Sequence, residues 1–445
     1  MTAHALPAYL PRRRGWQFAL GEAGLMVAAF SAWFLFRFGR DALLVVQEDE
    51  GWRIALACAL SVACLYLCDL YETPVLGDWR EQWRRLPLAV GTLALLLAGW
   101  EWLHPVLGPG PRLPLVCVAV TILTVAGVRS AWQLTVQVLG LRQDAVVIGS
   151  GDLALALHTE LQRHGELGWR LAGRLSTPRQ DCLRALAEGG THGWARRLLA
   201  AFPGGWASVD AGMRRELMRA GCRLEEGAAW YERLSGKVLL SAPLEVRCRA
   251  RATERIKRIG DAAVAGSALL ACWPLLLATA ALIRLDSPGP ALFRQERVGQ
   301  FGRSFTIYKF RTMFHGAASR RNVPAAAHDP RCTRVGRWLR RLRLDELPQL
   351  WNIVRGEMSL VGPRPFVLDQ EQECCHAIAG YTQRWRVPPG ATGWAQVNRG
   401  YCATLEDNRE KLAYDLFYIQ HLSLWFDALI VLQTLKVVCL GRGGR

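Results

Sequence analysis

The chain has no Cys-x-x-Cys pair among its 13 cysteines, which removes the commonest zinc and dithiol-redox spacings. Three of them (Cys58, Cys64 and Cys68) lie in one apolar run and the rest are scattered, so a reducing compartment is the simple reading. No zinc-finger, RNA-recognition or helix-turn-helix signature is present, and a nucleic-acid partner is not expected. A cleavable signal is also missing. Arg12, Arg13 and Arg14 precede an apolar run, but three more runs of spanning length follow it. Acid is in short supply, with 38 acidic against 55 basic residues and a net charge of +17, while 51% of residues are apolar. That combination suits a membrane protein with a basic face on anionic lipid. At 445 residues the chain exceeds what one core usually carries, so two or three domains are expected.

The apolar runs cover roughly 16–38, 52–71, 86–103 and 113–134, each near the ~20 residues that cross hydrocarbon. Glu22 and Asp69 fall near run ends, where a charge can snorkel. Arg12 to Arg14, then Arg80, Arg84 and Arg85, then Arg129 and Arg142 gather on one side; Arg37, Arg40, Arg53 and Arg112 are diluted on the other. The bias predicts a four-helix transmembrane region over 1–140 with both ends cytoplasmic.

Next comes Ala145-Val146-Val147-Ile148 and then Gly149-Ser150-Gly151-Asp152-Leu153-Ala154. This is a short strand running into a Gly-x-Gly-x-x-Ala turn and a helix, the start of a Rossmann-like unit. No acidic ribose-binding residue follows at the end of a clear second strand, and 176–230 alternates poorly. A structural or regulatory role is therefore expected for 141–250. An epimerase or dehydratase built on this turn would need a Tyr-x-x-x-Lys in register, and none follows in that region.

The densest chemistry lies further on. Leu344-Asp345-Glu346-Leu347-Pro348 places two carboxylates at an expected helix start, where a carboxylate can cap the first turn and Pro348 is tolerated. Met358-Ser359-Leu360-Val361-Gly362-Pro363-Arg364-Pro365 then forms a rigid turn. Upstream are Ser287-Pro288-Gly289-Pro290, Arg294-Gln295-Glu296-Arg297-Val298-Gly299 and Tyr308-Lys309-Phe310-Arg311-Thr312-Met313; downstream is Pro389-Gly390-Ala391-Thr392-Gly393-Trp394. These blocks, in this order, resemble the bacterial sugar transferase family of polyprenyl-phosphate glycosyl-1-phosphate transferases. The ending, with Leu405-Glu406-Asp407 and Tyr414-Asp415-Leu416, is most similar to the exosortase-associated exopolysaccharide branch.

The resemblance implies a monotopic α/β transferase domain over 251–445, a degenerate Rossmann-like middle domain, and a bacterial inner-membrane, multi-pass protein whose active site faces the cytoplasm. It implies transfer of a sugar 1-phosphate from a UDP-sugar to undecaprenyl (polyprenyl) phosphate, with UMP released, to initiate exopolysaccharide synthesis. Asp345 would be the nucleophile, forming a covalent sugar-phosphate intermediate, and Glu346 its metal-associated partner. Mg²⁺ or Mn²⁺ would be held by both. Arg340 and Arg364 would clamp phosphates, with Lys309, Arg311 and Arg399 as further candidates, although the order Asn398-Arg399-Gly400 departs from the family's usual Asn-Gly-Arg. These residue types suit the chemistry: a carboxylate attacks phosphorus once the diphosphate charge is neutralised, and guanidinium matches phosphate oxygens bidentately. A homodimer and downstream glycosyltransferases are the expected protein partners. The competing reading is a catalytically silent membrane scaffold or regulator; intact Asp345, Glu346, Arg340 and Arg364 speak against it.

The apolar run 262–283 is long enough to span, but Arg255, Lys257 and Arg258 precede it and Arg284 follows. Pro274 sits at its middle, where it removes a helix hydrogen bond. A re-entrant hairpin breaking at Trp273-Pro274 is expected. The run 422–440, interrupted by Asp427, Gln433 and Lys436, reads as an interfacial amphipathic helix.

Overall fold

The computed structural model describes residues 10–38, 51–71, 79–103, 112–138, 143–163, 169–175, 197–240, 251–314, 329–399 and 404–439. Arg40 and Arg142 of the charge pattern, and 176–196 of the poorly alternating stretch, lie outside them. The chain divides into two compact units, Met1–Gly236 and Lys237–Arg445.

In the first unit the four apolar runs fold as α1 (Leu10–Phe38), α2 (Gly51–Leu67), α3 (Trp79–Leu103) and α4 (Arg112–Val138). They share one core in which Met26, Leu65, Leu70, Leu93 and Cys117 are wholly buried. Among the described residues two helical segments are long and apolar enough to cross a membrane, Leu115–Trp132 and Glu254–Asp286; Phe18–Trp33 and Ala55–Leu67 are shorter apolar helices. The snorkelling expected of Glu22 and Asp69 is corrected. Both are buried, because each has a cation inside the bundle: Arg129 Nε donates to Glu22 at 3.0 Å, and Arg85 Nη1 to Asp69 at 3.1 Å.

The rest of this unit alternates strand and helix: β1 (Gln143–Ile148), α5 (Asp152–Arg163), β2 (Trp169–Leu175), β3 (Arg197–Ala200), α6 (Ala211–Arg219), β4 (Arg223–Glu226) and α7 (Gly227–Ser235). The sheet has order β2-β1-β3-β4 and every pairing is parallel. Gly149 has φ +140, and a Cβ there would lie 2.0 Å from the Ala201 carbonyl oxygen. Its backbone freedom is thus required by the neighbouring chain, whose Ala201 N–H donates to Ile148 O at 2.6 Å.

The second unit begins with α8 (Arg251–Asp286), followed by the antiparallel pair β5 (Leu292–Val298) and β6 (Ser304–Phe310). Then come α9 (Arg334–Arg341), α10 (Gln349–Val354), β7 (Ser359–Val361), α11 (Leu368–Ala377), β8 (Gly390–Thr392), α12 (Trp394–Asn398), α13 (Leu405–Gln420) and α14 (Leu424–Cys439). β7 and β8 pair in parallel, and a Thr404–Asp407 capping box starts α13.

α8 is one continuous helix with Pro274 inside it, so the helix expected to break at Trp273-Pro274 instead runs on through the proline. Both of its ends are fastened to the same unit. Near the start, Lys257 Nζ lies 2.8 Å from Asp427 Oδ2, and Asp261 accepts from the Ser359 hydroxyl. At the end, Asp286 Oδ2 accepts from Val335 N at 3.0 Å, and Arg311 donates to Ile283 O at 3.3 Å and to Ser287 O at 2.6 Å. Between them Val264, Leu270, Trp273 and Leu277 are exposed. α14 turns its polar residues inward: Asp427, Gln433 and Lys436 are buried while Trp425, Leu432 and Leu435 are exposed.

Candidate active site

Lys309 is the penultimate residue of β6, opposite Phe293 on β5. Asn352 on α10 fixes that strand: its Oδ1 accepts from Tyr308 N at 3.1 Å, and its Nδ2 donates to Thr306 O at 2.7 Å. α9 packs against the exit of β6 because residue 336 is glycine, where a Cβ would lie 2.1 Å from the Thr312 carbonyl oxygen. Thr333 caps α9 by accepting from Gly336 N at 2.9 Å, and one turn on Arg340 Nε donates to Thr312 Oγ1 at 2.8 Å.

After α9, Arg343 adopts a left-handed conformation (φ 59), uncommon for a side-chain-bearing residue, and turns the chain into the 3₁₀ segment Leu344–Glu346. The expected helix-capping role of the acidic pair is corrected, since α10 starts later, its N-cap is Pro348, and no side chain caps it. The two carboxylates are instead presented from a separate turn.

Their surroundings differ sharply. Glu346 Oε1 accepts from Arg364 Nη2 at 2.7 Å and from Lys309 Nζ at 3.2 Å. Among the described residues none donates a hydrogen bond to Asp345. Burial would raise the Glu346 carboxyl, but the charges of Arg364 and Lys309 outweigh it and hold that group far below the usual carboxylate range. Burial, and next the Glu346 charge, push the Asp345 carboxyl up, against the opposing pull of Lys309, Arg340 and Arg343. Burial likewise lowers Lys309, offset by Glu346.

Arg364 is held by its own backbone. Three successive carbonyls of the turn are engaged: Pro363 O by Gly390 N at 2.9 Å, Arg364 O by Arg384 Nη2 at 2.7 Å, and Pro365 O by Arg297 Nη1 at 3.1 Å. Gly362 and Gly390 permit the backbones to meet, each lacking room for a Cβ. Arg384 in turn is buried between Glu371 and Asp415 and lies over Phe366 with its guanidinium carbon 4.6 Å from the ring centroid.

The structure thus gathers Asp345, Glu346, Lys309, Arg340 and Arg364 around one turn. Two further candidates have other tasks. Arg311 is buried and gives its donors to Pro288 O at 2.8 Å, Ile283 O, Ser287 O and Ser287 Oγ, so its expected substrate contact is corrected to a clamp on the end of α8. Arg399, at the end of α12, ion-pairs with Glu410 on α13. Sequence reading passed over Arg297, whose guanidinium is lowered to about 10 by burial and by the neighbouring Arg364. Its place in Gln295-Glu296-Arg297-Val298-Gly299 was visible, but nothing local says that a β5 side chain reaches the turn after β7.

Among the described residues no group of three or more His, Cys, Asp and Glu side chains could hold a metal ion. The donors at hand are the Asp345–Glu346 pair, with Glu346 already bound by two cations. That set fits a divalent cation arriving with a diphosphate, which needs one or two carboxylates and retains water, rather than a preformed cage.

The family described as bacterial sugar transferase matches residues 252–441. The chain is 46% identical over 190 residues to a UDP-N-acetylgalactosamine-undecaprenyl-phosphate N-acetylgalactosaminephosphotransferase of Aeromonas hydrophila, covering 43% of this chain and 45% of that protein. It is 47% identical over 180 residues to a UDP-glucose:undecaprenyl-phosphate glucose-1-phosphate transferase of Caulobacter vibrioides, covering 40% of this chain and 67% of that one. With an exopolysaccharide production protein of Rhizobium leguminosarum bv. phaseoli the identity is 40% over 195 residues, 40% of this chain and 92% of the relative. The chain thus spans less than half the length of the Aeromonas relative and nearly all of the Rhizobium one.

Proposed function

The chain belongs to the bacterial sugar transferase family, and from that premise we propose that it transfers a sugar 1-phosphate from a UDP-sugar to undecaprenyl phosphate. The observation that carries the reading is the unequal treatment of the two carboxylates. Glu346 is immobilised by Lys309 and Arg364, while Asp345 beside it is left without a hydrogen-bond donor among the described residues. Glu346 organises the cations; Asp345 is available to attack.

An Asp345 carboxylate oxygen attacks the β-phosphorus of the UDP-sugar. The bond from that phosphorus to the bridging oxygen breaks, UMP leaves with the electron pair, and a sugar-phosphoryl aspartate remains. A phosphate oxygen of undecaprenyl phosphate then attacks the same phosphorus, releasing undecaprenyl-diphosphate-sugar and restoring Asp345. Arg364, Arg340 and Lys309 neutralise phosphate charge, and Arg364 keeps a fixed direction because its turn is held at three carbonyls. Mg²⁺ or Mn²⁺ held at Asp345 and Glu346 would supply further neutralisation of the diphosphate.

The membrane placement follows the same logic. α8 would run about 54 Å if straight, yet both its ends are tied to one folded unit. A true span would put those anchors on opposite sides of ~30 Å of hydrocarbon, so a shallow path that enters and leaves by the cytoplasmic leaflet is favoured. The exposed apolar face of α14, with exposed Trp338 and Trp351, supports a unit seated on the same surface. We read α1 to α4 as four membrane helices and the parallel sheet after them as a degenerate Rossmann-like domain.

The test is UMP release by the full-length chain across a panel of UDP-sugars, with and without undecaprenyl phosphate. Lipid-dependent release with at least one sugar, lost in Asp345→Asn, is expected. No release with any sugar from folded protein in lipid would contradict the proposal.

A further inference from the structure

α9 has two faces of opposite character. Val335 and Leu339 pack inward, in one apolar cluster with Leu276, Ala280 and Ile283 of α8. Arg334, Arg337, Trp338 and Arg341 are exposed, as is Leu342 just after them. Their spacings of three and four put these side chains on one side of a helix. The Arg341 guanidinium carbon lies 6.0 Å from the Trp338 ring centroid, so charge and indole sit together. Nearby acids do not answer the cations: Asp329 is held by Arg331, and Glu346 by Lys309 and Arg364. Water suits the arginines but not the indole and leucine, and hydrocarbon suits the reverse.

The place of α9 in its unit narrows the choice of surroundings. Its apolar side rests on α8 between residues 276 and 283. Asp286, the last residue of α8, also accepts from Val335 N at 3.0 Å. Along the same stretch α8 exposes Leu277, Leu282 and Leu285. α9 is thus fastened beside the half of α8 that presents apolar side chains outward.

We propose that the outer face of α9 binds anionic phospholipid headgroups of the surrounding leaflet. Arg334, Arg337 and Arg341 meet their phosphates, while Trp338 and Leu342 reach the acyl boundary. Charge decides the occupant. A second copy of the chain would have to bring acid, and the chain has 38 acidic against 55 basic residues. A zwitterionic lipid has no net charge to draw three cations, whereas a basic residue beside an anionic surface gains about fivefold in partition. The inference rests on reading α8 as a helix seated in the cytoplasmic leaflet, and it adds to that seat a class of lipid other than the acceptor.

The experiment uses the full-length chain in nanodiscs of phosphatidylcholine and phosphatidylglycerol in a seven-to-three ratio. A benzophenone amino acid replaces Trp338 in one sample and Trp273, exposed on α8, in another; captured lipid is identified by mass spectrometry. Position 273 should take both lipids near their molar ratio, and position 338 should take phosphatidylglycerol at least fivefold beyond it. That enrichment should vanish in a variant carrying Arg334→Gln, Arg337→Gln and Arg341→Gln, and in about 0.5 M salt. It should persist when Arg215, Arg219 and Arg223, exposed in the first unit, are changed to glutamine instead. Capture at 338 in the bulk ratio would overturn the proposal, as would enrichment that survives the α9 variant or is lost equally in the control. Crosslinks from 338 to another copy of the chain in place of lipid would overturn it too. So would displacement of phosphatidylglycerol by about 1 mol% undecaprenyl phosphate, which would give the face to the acceptor. Lipid captured at 273 alone removes only this proposal; lipid captured at neither position removes the membrane seat with it. None of these readouts involves turnover, so the transferase reading stands or falls separately.

Discussion

Replacing Arg384 with glutamine separates support of the turn that carries Arg364 from the turn itself. Arg384 is 4% exposed, as are its partners Glu371 and Asp415 on their side chains, with contacts of 3.3 and 3.1 Å. Taking away the cation leaves two buried carboxylates facing each other and frees the Arg364 carbonyl. Removing one partner of a buried pair costs about 3–5 kcal/mol. For a unit of this size, at ~2–4 °C per kcal/mol, that is a fall in Tm of about 6–20 °C. The loss should also depend on pH. Burial already pushes Asp415 up to about 6 despite Arg384. An acid whose folded pKa lies above its unfolded one binds its proton more tightly when folded, so acidification stabilises the fold. Without Arg384 the group rises further, and the deficit should shrink as pH is lowered from 8 to 5. Thermal unfolding of the full-length protein across that range checks both points. A deficit below about 1 kcal/mol, or one that does not change with pH, would refute the reasoning.

Glu346→Gln removes the like charge that helps push Asp345 up and frees Lys309 and Arg364 to pair with it. The acid limb of the pH–rate profile for UMP release should move to lower pH and turnover should fall; an unmoved limb would contradict the assignment. Gly336→Ala places a Cβ 2.1 Å from Thr312 O and must push α9 away. Overpacking of this kind costs about 1–3 kcal/mol, and kcat should drop with Arg340 displaced; wild-type stability and rate would show the contact is not needed. Arg311→Met removes the clamp on α8, and losing hydrogen bonds to buried carbonyls should cost about 2–4 kcal/mol of stability with the KM for UDP-sugar little changed. A raised KM at unchanged stability would return Arg311 to the substrate.

The helices of the first unit were legible because long apolar runs leave the backbone few alternatives to internal hydrogen bonding. The acidic pair and the Gly-Pro-Arg-Pro turn were legible as motifs. What they do to each other was not. Lys309 and Arg364 meet at Glu346 although 55 positions separate them in the sequence, and local pattern carries no such distance. Arg311 looked equivalent to Lys309, two positions away, yet the two serve different tasks, one at Glu346 and the other at the end of α8. Glu22 and Asp69 were expected to reach outward because their arginine partners come from other helices. The helix start placed at Asp345 was early by one turn because Arg343 in the left-handed region inserts a separate 3₁₀ segment before α10.

The central claim is that Asp345, and not its neighbour, becomes bonded to phosphorus. The direct measurement is to incubate the full-length chain with UDP-sugar in the absence of undecaprenyl phosphate, quench, and locate any sugar-phosphate adduct by peptide mass spectrometry. The account predicts an adduct on Asp345, absent in Asp345→Asn and discharged on adding undecaprenyl phosphate. An adduct on Glu346 or any other residue, or one that persists when the lipid acceptor is added, would contradict it.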